Sequence, residues 1–339
     1  MKPGRGALRL LLFTEVVILA AVIVFSIAEK LRTPQSERAS QSATVEVLQT
    51  EPDKPEPTEN ALDSEMPEEQ SEPEYTAEVE EMLAAMTLEE KVAQMFLTTP
   101  ESLTQSDQVN IAGERTRNAI NEYPVGGLIY ADINYQGREQ AGNLMFNAQQ
   151  ISSERIGLSL FLAVRIETEG GSPVIGIADN YEPDAIVEVL ATRRLDGSEG
   201  ISLPTAVPTQ QAEVTPDTAW VMLEDTADAS VTGEEGLPCA LSAQCVQSLR
   251  SAGYDGVILT DSLSAENIQN TYSVGDAAVL AIQAGVDMVY CPENFPDAYQ
   301  AVLDAAYAGE ITEEQINQAV GHILTQKYQM PERITDNGQ

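Results

Sequence analysis

A carboxylate that closes a buried strand is placed to do chemistry, and Asp261 has that position. It follows the apolar run Val257-Ile258-Leu259 and Thr260, which opens after Gly253-Tyr254-Asp255-Gly256. An apolar run of this length between a glycine turn and polar residues predicts a strand buried on both faces. In parallel α/β sheets, reactive groups collect at the carboxyl ends of such strands. A second reading of the same residue is local: Asp261 could cap the segment "DSLSAENI" as a helix start. Both readings stand on this pattern.

Other nucleophilic machinery is scarce. The chain has one histidine, His322, inside the late helical pattern "NQAVGHILTQKY", where a structural or solvated role is expected. A Ser-His or Cys-His pair is therefore excluded elsewhere. The cysteines, Cys239, Cys245 and Cys291, have no metal-ligand spacing. They are expected to be small apolar core thiols. No metal and no organic cofactor is implied.

The elements that must carry Asp261 alternate. The spacing predicts helices over 75–97, 137–152, 242–252 and 275–285, and two more between 295 and 328. Thr87-x-x-Glu90 and Thr312-x-x-Gln315 read as capping boxes, and Ser242 as an N-cap. Strands are expected at 123–130, 158–166, 218–223, 257–260 and 286–291. Strands alternating with helices give an α/β class with a parallel sheet. A weak stretch covers 172–216, and its segment 180–216 could hold one helix and a strand remnant.

The chain is 339 residues long, with 18 Lys and Arg against 54 Asp and Glu, a net charge of −36. That balance excludes nucleic acid as a partner, because phosphates need cations. Much of the charge lies in residues 33–76, a Pro-, Glu-, Ser- and Gln-rich stretch that cannot bury enough apolar surface to order itself. It is expected to be a disordered, self-repelling linker. Before it, Lys2, Arg5 and Arg9 precede an apolar run over 10–28, about the length of a bilayer span. Residues 1–32 read as a cytoplasmic tip and transmembrane anchor, with the amino end inside. A cleaved signal peptide ending near Ser26-Ile27-Ala28 is the alternative. Either way, the domain over 77–339 is expected outside the cytoplasm. Oligomeric state is not legible.

Several stretches occur together in order: "MTLEEKVAQMF", "VGGLIY", "EGG" after a strand, "LPCALS", "GYDGVILTDSLS", "AIQAGVDMV" and "GEITEEQINQAVGHIL". Together they resemble the N-terminal barrel domain of glycoside hydrolase family 3, especially its β-N-acetylhexosaminidase branch. The resemblance implies a (β/α) barrel and retaining hydrolysis of β-N-acetylglucosaminides, such as those of cell-wall glycan. It makes Asp261 the nucleophile. A second carboxyl group must protonate the leaving oxygen, at a separation of roughly 5 Å in retaining enzymes.

The chain departs from the family pattern. The branch carries its general acid on a "KHFPGHG"-like segment, and no such segment exists here. Where the family has a His after the strand matching "WVML", this chain has Glu224-Asp225. Glu224, Asp225 or Glu169 would have to serve as the acid. The family's sugar-gripping "DEEGG" turn is replaced by "VRIETEGG", with Glu167 as the nearest stand-in and Arg165 beside the strand end. Glu167, Glu169, Ser262 and Ser264 are the expected substrate contacts. The interval from Gly171 to Trp220 is short, so about three βα units of a full barrel are expected to be missing. The fold expected is an incomplete or distorted barrel with about five clear parallel strands. Two functions follow: a membrane-anchored glycosidase, or an inactive relative that binds glycan or a protein partner.

Overall fold

The computed structural model describes residues 75–166, 174–192, 206–208, 214–215 and 218–330. All lie in one unit of the chain, Gln70–Gln339. Strands form where apolar residues run without helical spacing: β1 (Phe96–Thr98), β2 (Gly127–Tyr130), β3 (Phe161–Ile166), β4 (Val174–Ile177), β5 (Val207–Pro208), β6 (Trp220–Leu223), β7 (Val257–Thr260) and β8 (Val289–Cys291). All residues of β2, β6 and β7 are buried, as expected for strands covered on both faces.

The strands form a five-stranded sheet, β4-β3-β2-β1-β8, and a three-stranded sheet, β5-β6-β7. Every pairing within them is parallel except β3 with β4. The sheets meet where Leu259 bridges Met288 in parallel. The Thr260 amide also donates to the Met288 carbonyl at 3.1 Å. At the other edge the Ala206 amide donates to the Ile175 carbonyl at 2.9 Å, so β5 touches β4. Strand order around this curl follows chain order, the arrangement of a TIM-like barrel.

All five expected strands are present. The expectation that about three βα units are lost needs correction: β1, β4 and β5 supply the extra strands. The shortening falls on the connections instead, since β4 returns antiparallel against β3 rather than after a crossover helix. In the weak stretch, the helix Asp184–Thr192 and the two residues of β5 are the expected helix and strand remnant.

Helix ends follow the sequence. Thr87 and Glu90 form a capping box, as do Thr312 and Gln315, and the Ser242 side chain accepts from the Cys245 amide. The cysteine expectation needs a second correction. Cys239 and Cys245 form a disulfide, with Cα atoms 5.7 Å apart. A 3-10 turn, Cys239–Leu241, followed by a capped helix start folds the two residues back onto each other. Cys291 alone is the buried free thiol.

Polar groups close the foot of the barrel, the end at which the strands begin. Asp287, 1% exposed, accepts from Arg250 Nη2 at 2.5 Å and from the Ile258 amide at 2.7 Å, and lies 2.7 Å from His322 Nδ1. His322 is thus structural. Lys327, on the last helix Glu313–Gln329, donates to the Gly126 carbonyl at 2.8 Å and to the Ser159 carbonyl. Its ammonium lies 4.4 Å from the Phe161 ring centroid. Tyr75 packs against Gly321, where a Cβ would come within 2.2 Å of its ring, and donates to the Gln318 carbonyl at 3.1 Å. No helix among the described residues is long and apolar enough to cross a membrane. The anchor read over 1–32 and the linker read over 33–76 lie outside those residues up to residue 74; Tyr75 and Thr76, read as linker, belong to the folded domain, where Thr76 precedes the helix Ala77–Ala85.

Burial pushes the Lys327 amine down to about 7. Between there and the ordinary lysine value, the unfolded chain holds a proton that the folded chain lacks. This group therefore makes stability rise with pH across that interval. Lys327→Met removes the slope but strands two carbonyls. The variant should melt below wild type at pH 9, and the gap should shrink by on the order of 1–2 kcal/mol at pH 7. Thermal melts of both proteins at the two pH values measure it.

Candidate active site

Two neighbouring strands bring the acidic residues to one end of the barrel. In β6 and β7, Leu223 pairs with Thr260. The Asp261 amide extends that ladder by donating to the Leu223 carbonyl at 2.9 Å. Glu224-Asp225 and Asp261 therefore leave adjacent strands side by side. Glu224 and Asp261 are both buried, the latter 8% exposed.

Asp261 does not cap a helix. The next helix, Glu266–Gln269, begins after Ala265. Instead, Asp261 Oδ1 accepts the Ser262 amide at 2.7 Å and lies 3.5 Å from Arg165 Nη1. Arg165 reaches in from β3, with its guanidinium carbon 5.9 Å from the Tyr290 ring centroid on β8. Four strands thus contribute to one cluster. Burial pushes the Tyr290 phenol up to about 12, against the pull of Arg165.

Asp225 is the perturbed carboxyl. Burial first, then the charge of Asp261 and finally that of Glu224 push it up to about 7, while Arg165 opposes the rise. A carboxyl group taken from water beside a second carboxylate keeps its proton, because two like charges cannot both be solvated there. Its Oδ1 is buried without a hydrogen-bond partner, and so is Ser264 Oγ. Ser262 Oγ accepts the Ser264 amide at 3.2 Å. Unpaired buried oxygens of this kind mark a place for a ligand or water.

The structure therefore brings together Asp261, Glu224, Asp225, Ser262 and Ser264. Glu167 and Glu169 lie outside the described residues. Two members were not among the expected site residues, although Arg165 was noted beside its strand end. Arg165 is a cation near the end of an otherwise apolar strand, which is a usable signal. Tyr290 sits in an apolar strand and gives none. Among the described residues, no group of three or more His, Cys, Asp or Glu side chains is placed to hold a metal ion.

A carboxylate at the carboxyl end of β7, in a curled parallel sheet, is what the sequence resemblance requires. Residues 205–326 match the glycosyl hydrolase family 3 N-terminal domain. The match includes β6, β7, β8 and both aspartates. No curated protein matches the chain. Among solved structures, a glycoside hydrolase family 3 β-N-acetylglucosaminidase from Paenibacillus sp. str. FPU-7 is similar, with 22% identity and a TM-score of 0.54. The alignment covers 72% of this chain and 63% of that one. A fungal multi-domain family 3 β-N-acetylglucosaminidase aligns with 16% identity and a TM-score of 0.53, over 73% of this chain and 40% of its own. At these identities the likeness is one of fold. The chain spans less than two thirds of either protein.

Between the ordinary aspartate value and about 7, folded Asp225 holds a proton that the unfolded chain has lost. Stability should therefore fall as pH rises through that interval. Asp225→Asn removes this liability. The variant should melt a few degrees above wild type at pH 8, on the order of 1 kcal/mol, and show no advantage at pH 4. Calorimetry at both pH values tests the difference.

Proposed function

We propose that this chain is a glycoside hydrolase of the family 3 type, cleaving β-N-acetylglucosaminides, such as those of cell-wall glycan, with retention. The observation that carries the reading is the pair of aspartates on adjacent strands, one of them protonated near neutrality. The names of the similar solved structures support the sugar class. Asp261 attacks the anomeric carbon as Asp225 gives its proton to the departing glycosidic oxygen. The bond to that oxygen breaks, and a glycosyl ester forms on Asp261. Asp225, now ionised, takes a proton from water, whose oxygen displaces Asp261 and restores both carboxyls. Arg165 and the Ser262 amide hold Asp261 in place, and Ser262 and Ser264 face the sugar. Glu224 stands beside the acid and raises its proton affinity.

The domain over 77–339 works outside the cytoplasm on its acidic tether, behind an anchor over 1–32. The Cys239–Cys245 bond supports that compartment, because such bonds persist in oxidising surroundings.

One observation favours a second reading, glycan binding without turnover. Asp261 is nearly covered, and its Oδ1 is already engaged by Ser262 and Arg165. Surface grooves of about 380 and 520 Å³ open elsewhere, beside Gly113 and Gln150 and beside Leu280 and Ala305.

Aryl N-acetyl-β-glucosaminides separate the two. An activated aryl leaving group needs little acid help, so wild type and Asp225→Asn should both release it, while Asp261→Asn should not. With an unactivated glycan fragment, Asp225→Asn should lose about 10²-fold or more, and wild-type rates should fall as pH rises past about 7. Release that is absent, or indifferent to Asp261→Asn, leaves binding alone.

A further inference from the structure

The loop that carries Asp225 is held by its main chain. The Glu224 carbonyl accepts from the Ala240 amide at 3.2 Å, and the Thr226 carbonyl accepts from the Cys239 amide at 2.9 Å. The Asp225 carbonyl between them accepts from Asn267 Nδ2 at 2.7 Å. Two of these three donors are consecutive residues of the buried 3-10 turn Cys239–Leu241.

That turn is fixed in its own right. Cys239 is bonded to Cys245, in the first turn of the helix Ala243–Ser251. Ser242, between them, caps that helix and donates from Oγ to the Thr232 carbonyl at 2.8 Å. The far end of the same helix is tied to the foot of the barrel. Arg250 donates there to the Tyr254 and Gly256 carbonyls, both at 2.8 Å, and to Asp287. A continuous strut thus runs from the foot, up one helix, across the disulfide and into the peptide units on both sides of Asp225.

A bridge between residues six apart closes only a short loop. It removes less chain entropy from the unfolded state than a long-range bridge does, so its effect should be felt locally. What lies next to it is the Glu224–Thr226 backbone. We propose that the Cys239–Cys245 disulfide is a positioning element for the proposed acid, keeping Asp225 turned into the mouth beside Asp261. This rests on the hydrolase reading above. With the bridge open, the 3-10 turn can part from Thr226 and Glu224, and Asp225 can swing toward water. Exposure would return its carboxyl toward the ordinary aspartate range, so it would arrive at the substrate without a proton.

The test uses the full chain with the Cys239→Ser/Cys245→Ser double variant. Wild type reduced by a dithiol serves where that variant does not fold: the disulfide takes two electrons and two protons to become two thiols, and the dithiol closes to a cyclic disulfide. The unfolded, unreduced protein should show one free thiol, Cys291; three would overturn the proposal. In the opened forms, amide exchange over 224–242 should rise about tenfold or more while 257–263 stays unchanged. Equal exchange in all forms overturns the proposal. Turnover of an unactivated glycoside should fall about tenfold or more, an activated aryl glycoside should change less than about twofold, and the alkaline limb of the rate profile should move to lower pH. A uniform loss on both substrates marks a merely structural bridge and overturns it. Asp225→Asn is judged separately. If it leaves the leaving-group dependence intact, Asp225 is not the acid and the positioning proposal is overturned, while aryl release and its loss on Asp261→Asn still decide the hydrolase reading.

Discussion

The parallel register between β6 and β7 governs everything at the mouth. Once Leu223 lies opposite Thr260 and the ladder ends at the Asp261 amide, the next residues of both strands have no further strand to join. They are acidic, and they are forced together where little water reaches them. Neither chain segment alone produces an unusual carboxyl group. Packing the two together produces it: burial takes the Asp225 carboxyl from water, and the charge on Asp261 adds to the cost of ionising it.

Arg165 limits that cost. A guanidinium within 3.5 Å of Asp261 Oδ1 offsets charge that two neighbouring carboxylates and Glu224 would otherwise concentrate. The same cation lies near the Tyr290 ring, so β3 and β8 are drawn into one electrostatic unit with β7. The foot of the barrel handles buried charge differently. There Asp287 meets Arg250 and His322, and Lys327 meets only carbonyls and an aromatic face. The foot gives its buried charges partners and leaves Gln94 Oε1 unpaired, whereas the mouth keeps Asp225 Oδ1, on a carboxyl group, and Ser264 Oγ unpaired. That contrast agrees with stability residing at the foot and chemistry at the strand ends.

The sequence made β7 and Asp261 legible because a short apolar run between glycine and polar residues has few other interpretations. The capping boxes were legible because they are local, three residues apart. β1 was not: Phe96–Thr98 continues the apolar spacing of the helix before it, and three residues are too few to break a period. β4 escaped because its four residues form a strand only when a neighbour supplies hydrogen bonds, and β5 was legible only as a remnant. Glu224 and Asp225 stood out only against a family pattern, and their coupling to Asp261 is tertiary. The disulfide was hidden by its odd-numbered set and by a chain reversal that no periodicity reports. The scarcity of recognisable units between Gly171 and Trp220 suggested lost strands, whereas β4 and β5 lie there as short strands, one antiparallel to β3 and the other two residues long.

Tyr75 sits in the notch left by Gly321 on the closing helix, and that helix seals the foot. The described domain consequently begins at the end of the barrel opposite the aspartates.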